Sequence, residues 1–205
     1  MGLNHSAIFD KIKELVASDR SVGASMREIV ALCSRDVPHS DWSRLSALDY
    51  DGDVASLTSW IAGVFGSQPA PFPIQGLWIG LCNPSEDGDI SADMYVGSLS
   101  EYASDDPELG WLWEGDRHYP EDALAHSASL RSIYEIGYRG EGGLGNDAEW
   151  PLCLAFSAFA VRSLLQGQST RLVASSAPRI GVVVGFDGGD MLKIGELTDK
   201  GFVTT

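Results

Sequence analysis

Ser127-Ala-Ser-Leu-Arg-Ser-Ile-Tyr-Glu-Ile-Gly-Tyr-Arg139 runs into Gly140-Glu-Gly-Gly-Leu-Gly-Asn-Asp147 and then into a long apolar stretch from Ala148 to Gln166. The order reads as helix, glycine loop, helix. From Leu152 to Leu165 the only polar residues are Ser157, Arg162 and Ser163. A helix that is apolar on every face belongs inside a protein, with other elements packed around it. Residues 148–166 therefore predict the centre of the fold. The first helix is expected from Pro120, a good first-turn residue, to about Tyr138, and the second to end near Gly167.

On the N-terminal side the pattern is helical throughout. Ile8, Ile12, Leu15 and Val16 fall on one face of a helix over 6–17. Ser25-Met-Arg-Glu28 has capping-box spacing and predicts the start of a second helix. Ser40 or Asp41 is placed to cap a short third helix and Asp53 a fourth. Gln68-Pro-Ala-Pro-Phe-Pro73 is a stiff connector. Beyond it Leu77–Leu81 reads as a buried strand, and Asp93–Leu99 as its partner. Residues 100–120 read as a long loop. Thr170–Ala174 is a candidate strand. Arg179–Phe186 and Met191–Leu197 form a hairpin around Asp187-Gly-Gly-Asp190, whose glycines are expected to supply positive φ.

The fold class expected is α+β: a helical N-terminal region, and a small, mainly antiparallel sheet packed against a buried central helix. The 205 residues suit one domain, with a helical subdomain 1–66, a Pro-rich connector 67–74 and an α+β body 75–205 as its natural subdivision. A chain of this length buries roughly 70% of its unfolded surface and needs no disulfide or metal to fold. Cys33, Cys82 and Cys153 are widely spaced among apolar neighbours, which suits free thiols in a reducing cytoplasm. The longest apolar run, near 152–161, is shorter than the ~20 residues a membrane span requires.

Fourteen Lys+Arg against 29 Asp+Glu give a net charge of −15. Nucleic acid and anionic membrane both require a positive footprint and are not expected as partners. Between Glu86 and Asp122 there are 12 acids and one base, Arg117, so this stretch carries −11 of the total. Among the acids lie Tyr95, Tyr102, Trp111, Trp113 and Tyr119. Two readings fit equally. One is a binding surface for a basic protein, with aromatic anchors and steering carboxylates. The other is a solvated loop whose aromatics hold it to the core. A paired-carboxylate glycosidase site is a third.

Other motifs are weaker. Gly140-Glu-Gly142-Gly-Leu-Gly145 has the G-x-G-x-x-G spacing, but dinucleotide binding requires a strand before the loop and a βαβ unit around it. Here a helix precedes it, so helix closure is the simpler reading. Asp49-Tyr-Asp51-Gly-Asp53 puts glycine and the twelfth residue (Trp60) in the wrong places for a calcium loop. His5, His39, His118 and His126 form no metal-spaced pair. Cys153, early in the central helix, would be a nucleophile if paired with His118 or His126, whereas Leu152, Leu154 and Phe156 mark it as a core thiol.

Ile133–Arg139, Gly143–Phe156 and the hairpin Val184–Asp190 resemble a recurring segment of small bacterial proteins of uncharacterised, immunity-protein type. The resemblance covers about 40 residues plus the hairpin. It implies an acidic cytosolic protein that neutralises a toxin, and it assigns no residue a role. Together these readings predict a cytoplasmic binding protein that occludes a basic toxin or enzyme, with no cofactor and no metal. The expected contact residues are Glu101, Asp105, Asp106, Glu108, Trp111, Trp113, Glu114 and Asp116. The alternative is a small hydrolase with a cleft near Cys153 and the glycine loop 140–145.

Overall fold

The structure is a computed structural model describing residues 2–67, 69–86, 89–173 and 177–204. Helices α1 (His5–Val16), α2 (Val22–Asp36), α3 (Trp42–Ser46) and α4 (Tyr50–Ser67) come first. Strand β1 (Gly76–Cys82), the two-residue pair β2 (Ser85–Glu86) and β3 (Asp89–Ile90), and β4 (Asp93–Leu99) follow. A 3-10 turn at Gly110–Trp113 and short strands β5 (Arg117–His118) and β6 (Leu124–Ala125) lead into α5 (Ala128–Gly137) and α6 (Asn146–Val173). Strands β7 (Arg179–Phe186), β8 (Met191–Thr198) and β9 (Gly201–Thr204) close the chain.

The fold is α+β, with six helices and a seven-stranded sheet among the described residues. The main path of the sheet is β5-β4-β1-β7-β8-β9, and β6 also pairs with β4. All pairs are antiparallel except β1–β7, which is parallel. A parallel pair demands a long crossover, and the chain between β1 and β7 includes α5 and α6. As expected, α6 is the centre: α1, α2, α4 and α5 pack on one side of it and β1, β7, β8 and β9 on the other. Asn146–Gln166 is long and apolar enough to cross a membrane, contrary to the length read from its sequence, but 94% of the relevant window is buried against the rest of the chain.

The one charged residue between Leu152 and Leu165 has a specific task. Arg162, 3% exposed, donates to the carbonyl oxygens of Leu15 (2.9 Å), Val16 (3.2 Å), Ser18 (2.6 Å) and Arg20 (2.6 Å). It thus caps the C-terminus of α1, where orphan carbonyls and the helix dipole both favour a cation. Two buried carboxylates do the converse for α5. Asp53 accepts from Ser127 Oγ (2.7 Å) and from the N–H groups of Ala128 (3.2 Å) and Ser129 (2.8 Å). Asp93 accepts from the Ser127 N–H (3.2 Å) and Arg131 Nη2 (3.1 Å).

Several boundaries differ from expectation, each for a local reason. Helix α2 starts at Val22 because Ser21 accepts from the Ala24 N–H and Asp51 from the Gly23 N–H, so Ser25-Met-Arg-Glu28 lies inside it. Asp49, not Asp53, caps α4, through the Gly52 N–H. Helix α5 begins only at Ala128, since Leu124–Ala125 are drawn into pairing with β4 and Ser127 caps the helix through the Leu130 N–H. Helix α6 continues through the expected strand at 170–174 as far as Val173; Ala174 lies outside the described residues. The 187–190 hairpin closes through the Gly189 N–H to the Phe186 carbonyl (3.2 Å) and the Phe186 N–H to the Asp190 carbonyl (3.1 Å). Neither Gly188 nor Gly189 has positive φ; a four-residue loop built on a type I turn does not require it. Gly140, Gly142 and Gly145 do adopt positive φ (72°, 85° and 53°). They fold the chain back so that the Gly145 N–H reaches the Gly137 carbonyl (2.8 Å), which is helix closure and not a phosphate loop.

Candidate functional site

The two faces of the sheet have different chemistry. Leu77, Ile79 and Leu81 of β1, Met94 and Val96 of β4, and Ile180, Val182 and Val184 of β7 join the helical core. The alternate positions form the outer face and read Gly76-x-Trp78-x-Gly80 on β1, Tyr95-x-Gly97-x-Leu99 on β4 and Gly181-x-Val183-x-Gly185 on β7. Register aligns them: Trp78 lies beside Gly97 and Val183, and Gly80 beside Tyr95 and Gly185. A β-carbon at Gly76, Gly80, Gly97 or Gly181 would run into the ring of Trp111, Tyr95, Tyr119 or Tyr102 respectively. The glycines exist so that four aromatic rings can lie against the strands, since glycine in a strand marks a close approach.

The segment after β4 covers part of this face. Trp111, 2% exposed, and Leu112 pack with Trp78, Leu99, Leu109 and Val183 into a second apolar cluster. Tyr102 meets Trp111 edge to face (4.9 Å, 83°). Leu109 sits in the left-handed region (φ 56°), which costs a β-carbon-bearing residue about 1–2 kcal/mol. Burial of its side chain and the grip of Asp106 on the Gly110 N–H (2.6 Å) hold it there.

A β-bulge where β8 meets Val182/Val183 adds one residue to the strand. Leu192 and Ile194 precede it in the core, Leu197 follows it in the core, and Glu196 is thereby turned to the outer face. There Glu196 accepts from Tyr102 Oη and Arg179 Nη1 (3.0 Å). Burial alone would raise its pKa, but the Tyr102 hydrogen bond and the charges of Lys193 and Arg179 outweigh it and hold the carboxyl below its ordinary value.

The uncovered part of the face is a cavity of about 240 Å³ lined by Trp78, Tyr95, Leu99, Leu112, Trp113, Arg117, Tyr119 and Asp187. Trp113 is 57% exposed, unlike Trp111 two residues before it. Tyr95 and Tyr119 stand 5.9 Å apart, tilted by 59°. Trp78 Nε1 donates to Tyr95 Oη (3.1 Å), and Tyr95 Oη donates to Asp187 Oδ1 (2.5 Å). Burial and the Asp187 carboxylate push the Tyr95 phenol up, so it keeps its proton and remains a donor. Arg117, the cation in the lining, lies over Trp113 (5.0 Å to the ring centre) and donates to the Leu112 carbonyl (2.7 Å).

The expected contact residues separate into two groups. Glu101, Asp105, Glu108, Trp113, Glu114 and Asp116 are exposed, and none of these five carboxylates forms an ion pair among the described residues. Trp111 and Asp106 are structural. The first is enclosed under the loop, and the second accepts from the Glu108 (3.0 Å) and Gly110 N–H groups. Sequence reading placed Tyr95 and Tyr119 in the acidic stretch but missed Trp78 and Asp187 as their neighbours. The glycine–aromatic alternation in β1, β4 and β7 was the available signal.

Two other groupings are folding devices. Cys153 is 1% exposed, and burial raises its thiol well above the ordinary pKa. It is therefore protonated and enclosed among the core side chains. Ser127, between Asp53 and Asp93, is likewise fully buried. Among the described residues no three His, Cys, Asp or Glu side chains gather as a metal site. Comparison with protein families, curated proteins and solved structures finds no match to this chain.

Proposed function

We propose that this chain is a binding protein whose outer sheet face takes a basic protein partner, acting in the manner of a cytoplasmic immunity protein by occluding a toxin or enzyme. The observation that carries the reading is the composition of the segment after β4. Glu101, Asp105, Glu108, Glu114 and Asp116 are exposed and without ion-pair partners among the described residues, in the same segment as the exposed Trp113. Such carboxylates steer and select a cationic surface, and a large exposed ring beside a cavity is a natural anchor. Function then needs no chemistry from this chain: coverage of the partner's working surface is sufficient.

The test is affinity capture from the host's proteins at low and then moderate salt, run in parallel with wild type and with D105N/E108Q/E114Q/D116N. Asp106 stays intact because its carboxylate shapes the loop. A basic protein retained by wild type at moderate salt and lost by the variant supports the reading. Equal retention on both removes this face from the interface.

A further inference from the structure

The cavity on the outer face carries a more specific assignment, which rests on the binding reading above. It has aromatic walls, Trp78, Tyr95, Trp113 and Tyr119, and a carboxylate at one end, Asp187. Asp187 sits on an exposed turn and, among the described residues, accepts one hydrogen bond, from Tyr95. Each carboxylate oxygen has two acceptor sites, so capacity for further donors remains. The one cation in the lining does not use it. Arg117 is tied to the Leu112 carbonyl and to Trp113, and forms no ion pair with Asp187 among the described residues.

We propose that this slot receives an arginine side chain of the partner, its guanidinium laid against an aromatic face and donating to Asp187. Aromatic faces attract cations, and a planar guanidinium both stacks on rings and donates a two-pronged hydrogen bond to a carboxylate. A lysine ammonium is more strongly hydrated and lacks the planar fork, so it fits the same walls less well. The acidic segment after β4 selects a basic surface in general, and the slot selects one residue type within it. Arg117 already lies over Trp113 at the slot's edge and carries the same charge as the incoming guanidinium, so the Asp187 carboxylate has to offset it.

The experiment uses the full chain, isotopically labelled, and two blocked peptides of equal charge, acetyl-tetra-arginine amide and acetyl-tetra-lysine amide, titrated at low salt. The indole N–H signals of Trp78 and Trp113 report the slot. Tetra-arginine is expected to shift both signals saturably and to bind about tenfold more tightly than tetra-lysine. D187N, on an exposed turn, and W113A should each weaken tetra-arginine about tenfold while leaving tetra-lysine nearly unchanged. A native-like spectrum of D187N keeps the comparison independent of folding. Salt-sensitive binding of both peptides at equal affinity, or tetra-arginine binding indifferent to D187N and W113A, would overturn the slot and leave the acidic-face reading standing. No binding of either peptide would overturn both.

Discussion

Replacing Arg162 by methionine tests the account of the core most directly. The guanidinium donates to two carbonyls at the end of α1, those of Leu15 and Val16, which are buried, and to two in the turn that follows, those of Ser18 and Arg20, which are partly so. Methionine keeps the length of the side chain and has similar helix propensity, so the change isolates the polar interaction. The Leu15 carbonyl keeps the Ser18 N–H (3.1 Å) and hydroxyl (2.7 Å) as donors, so the buried acceptor that loses its donor is the Val16 carbonyl, at about 1–3 kcal/mol. Loss of a cation at a helix C-terminus adds about 0.3–1 kcal/mol. Against this, a guanidinium no longer has to be desolvated, and desolvation is what lowers the Arg162 pKa. The net expectation is a loss of about 2 kcal/mol, or about 4–8 °C in Tm for a chain of this size. Urea unfolding followed by circular dichroism should show a lower midpoint at unchanged slope. Hydrogen exchange should accelerate first along α1 and the 17–20 turn. Arg162→Lys, with the charge but fewer donors, should fall between the two. A methionine variant within 0.5 kcal/mol of wild type, on the order of surface changes, would refute the capping role.

Three further outcomes are expected. Glu196 has a lowered pKa in the folded state, so its stabilising contribution is complete above the ordinary carboxyl pKa of about 4.5 and is lost as pH falls through the folded value. E196Q should therefore flatten the acid limb of a stability–pH curve, and an unchanged limb would remove the Tyr102–Glu196–Arg179 network as its source. Gly80→Ala should cost about 1–3 kcal/mol, because Tyr95 is pinned between Trp78 and Asp187. Gly97→Ala should cost less, because Tyr119 is nearly half exposed and can swing out; urea midpoints in the reverse order would contradict the packing. Burial raises the thiols of Cys33 to about 12, Cys82 to about 11, and Cys153 well above its ordinary value. Native protein at mildly alkaline pH should resist alkylation, with Cys82, the least buried, reacting first by mass spectrometry.

The periodicity of the chain was sufficient for whatever depends on local burial. The all-round apolar run of 152–165 requires an enclosed helix wherever it sits. The short apolar runs of 77–81 and 179–186 and the alternation of 93–99 likewise read as strands, and the short connections make two of the pairs antiparallel hairpins. Ile8, Ile12, Leu15 and Val16 mark one face of α1 without any knowledge of its neighbour. The acidity of 101–116 is also plain in the sequence.

What the sequence left open is pairing across distance. Asp53 reads as a cap for its own helix, yet it serves α5, 74 residues on, because tertiary packing brings a fresh helix N-terminus to it. Arg162 reads as a polar blemish in an apolar helix until α1 presents its carbonyls. Trp111 and Trp113 are two residues apart in the same acidic loop, and only the fold puts one beneath it and the other beside a cavity. Glu196 faces outward only because a bulge shifts the strand. Sequence pattern records how buried a residue must be; register and crossover, which only the closed core fixes, decide against what it is buried.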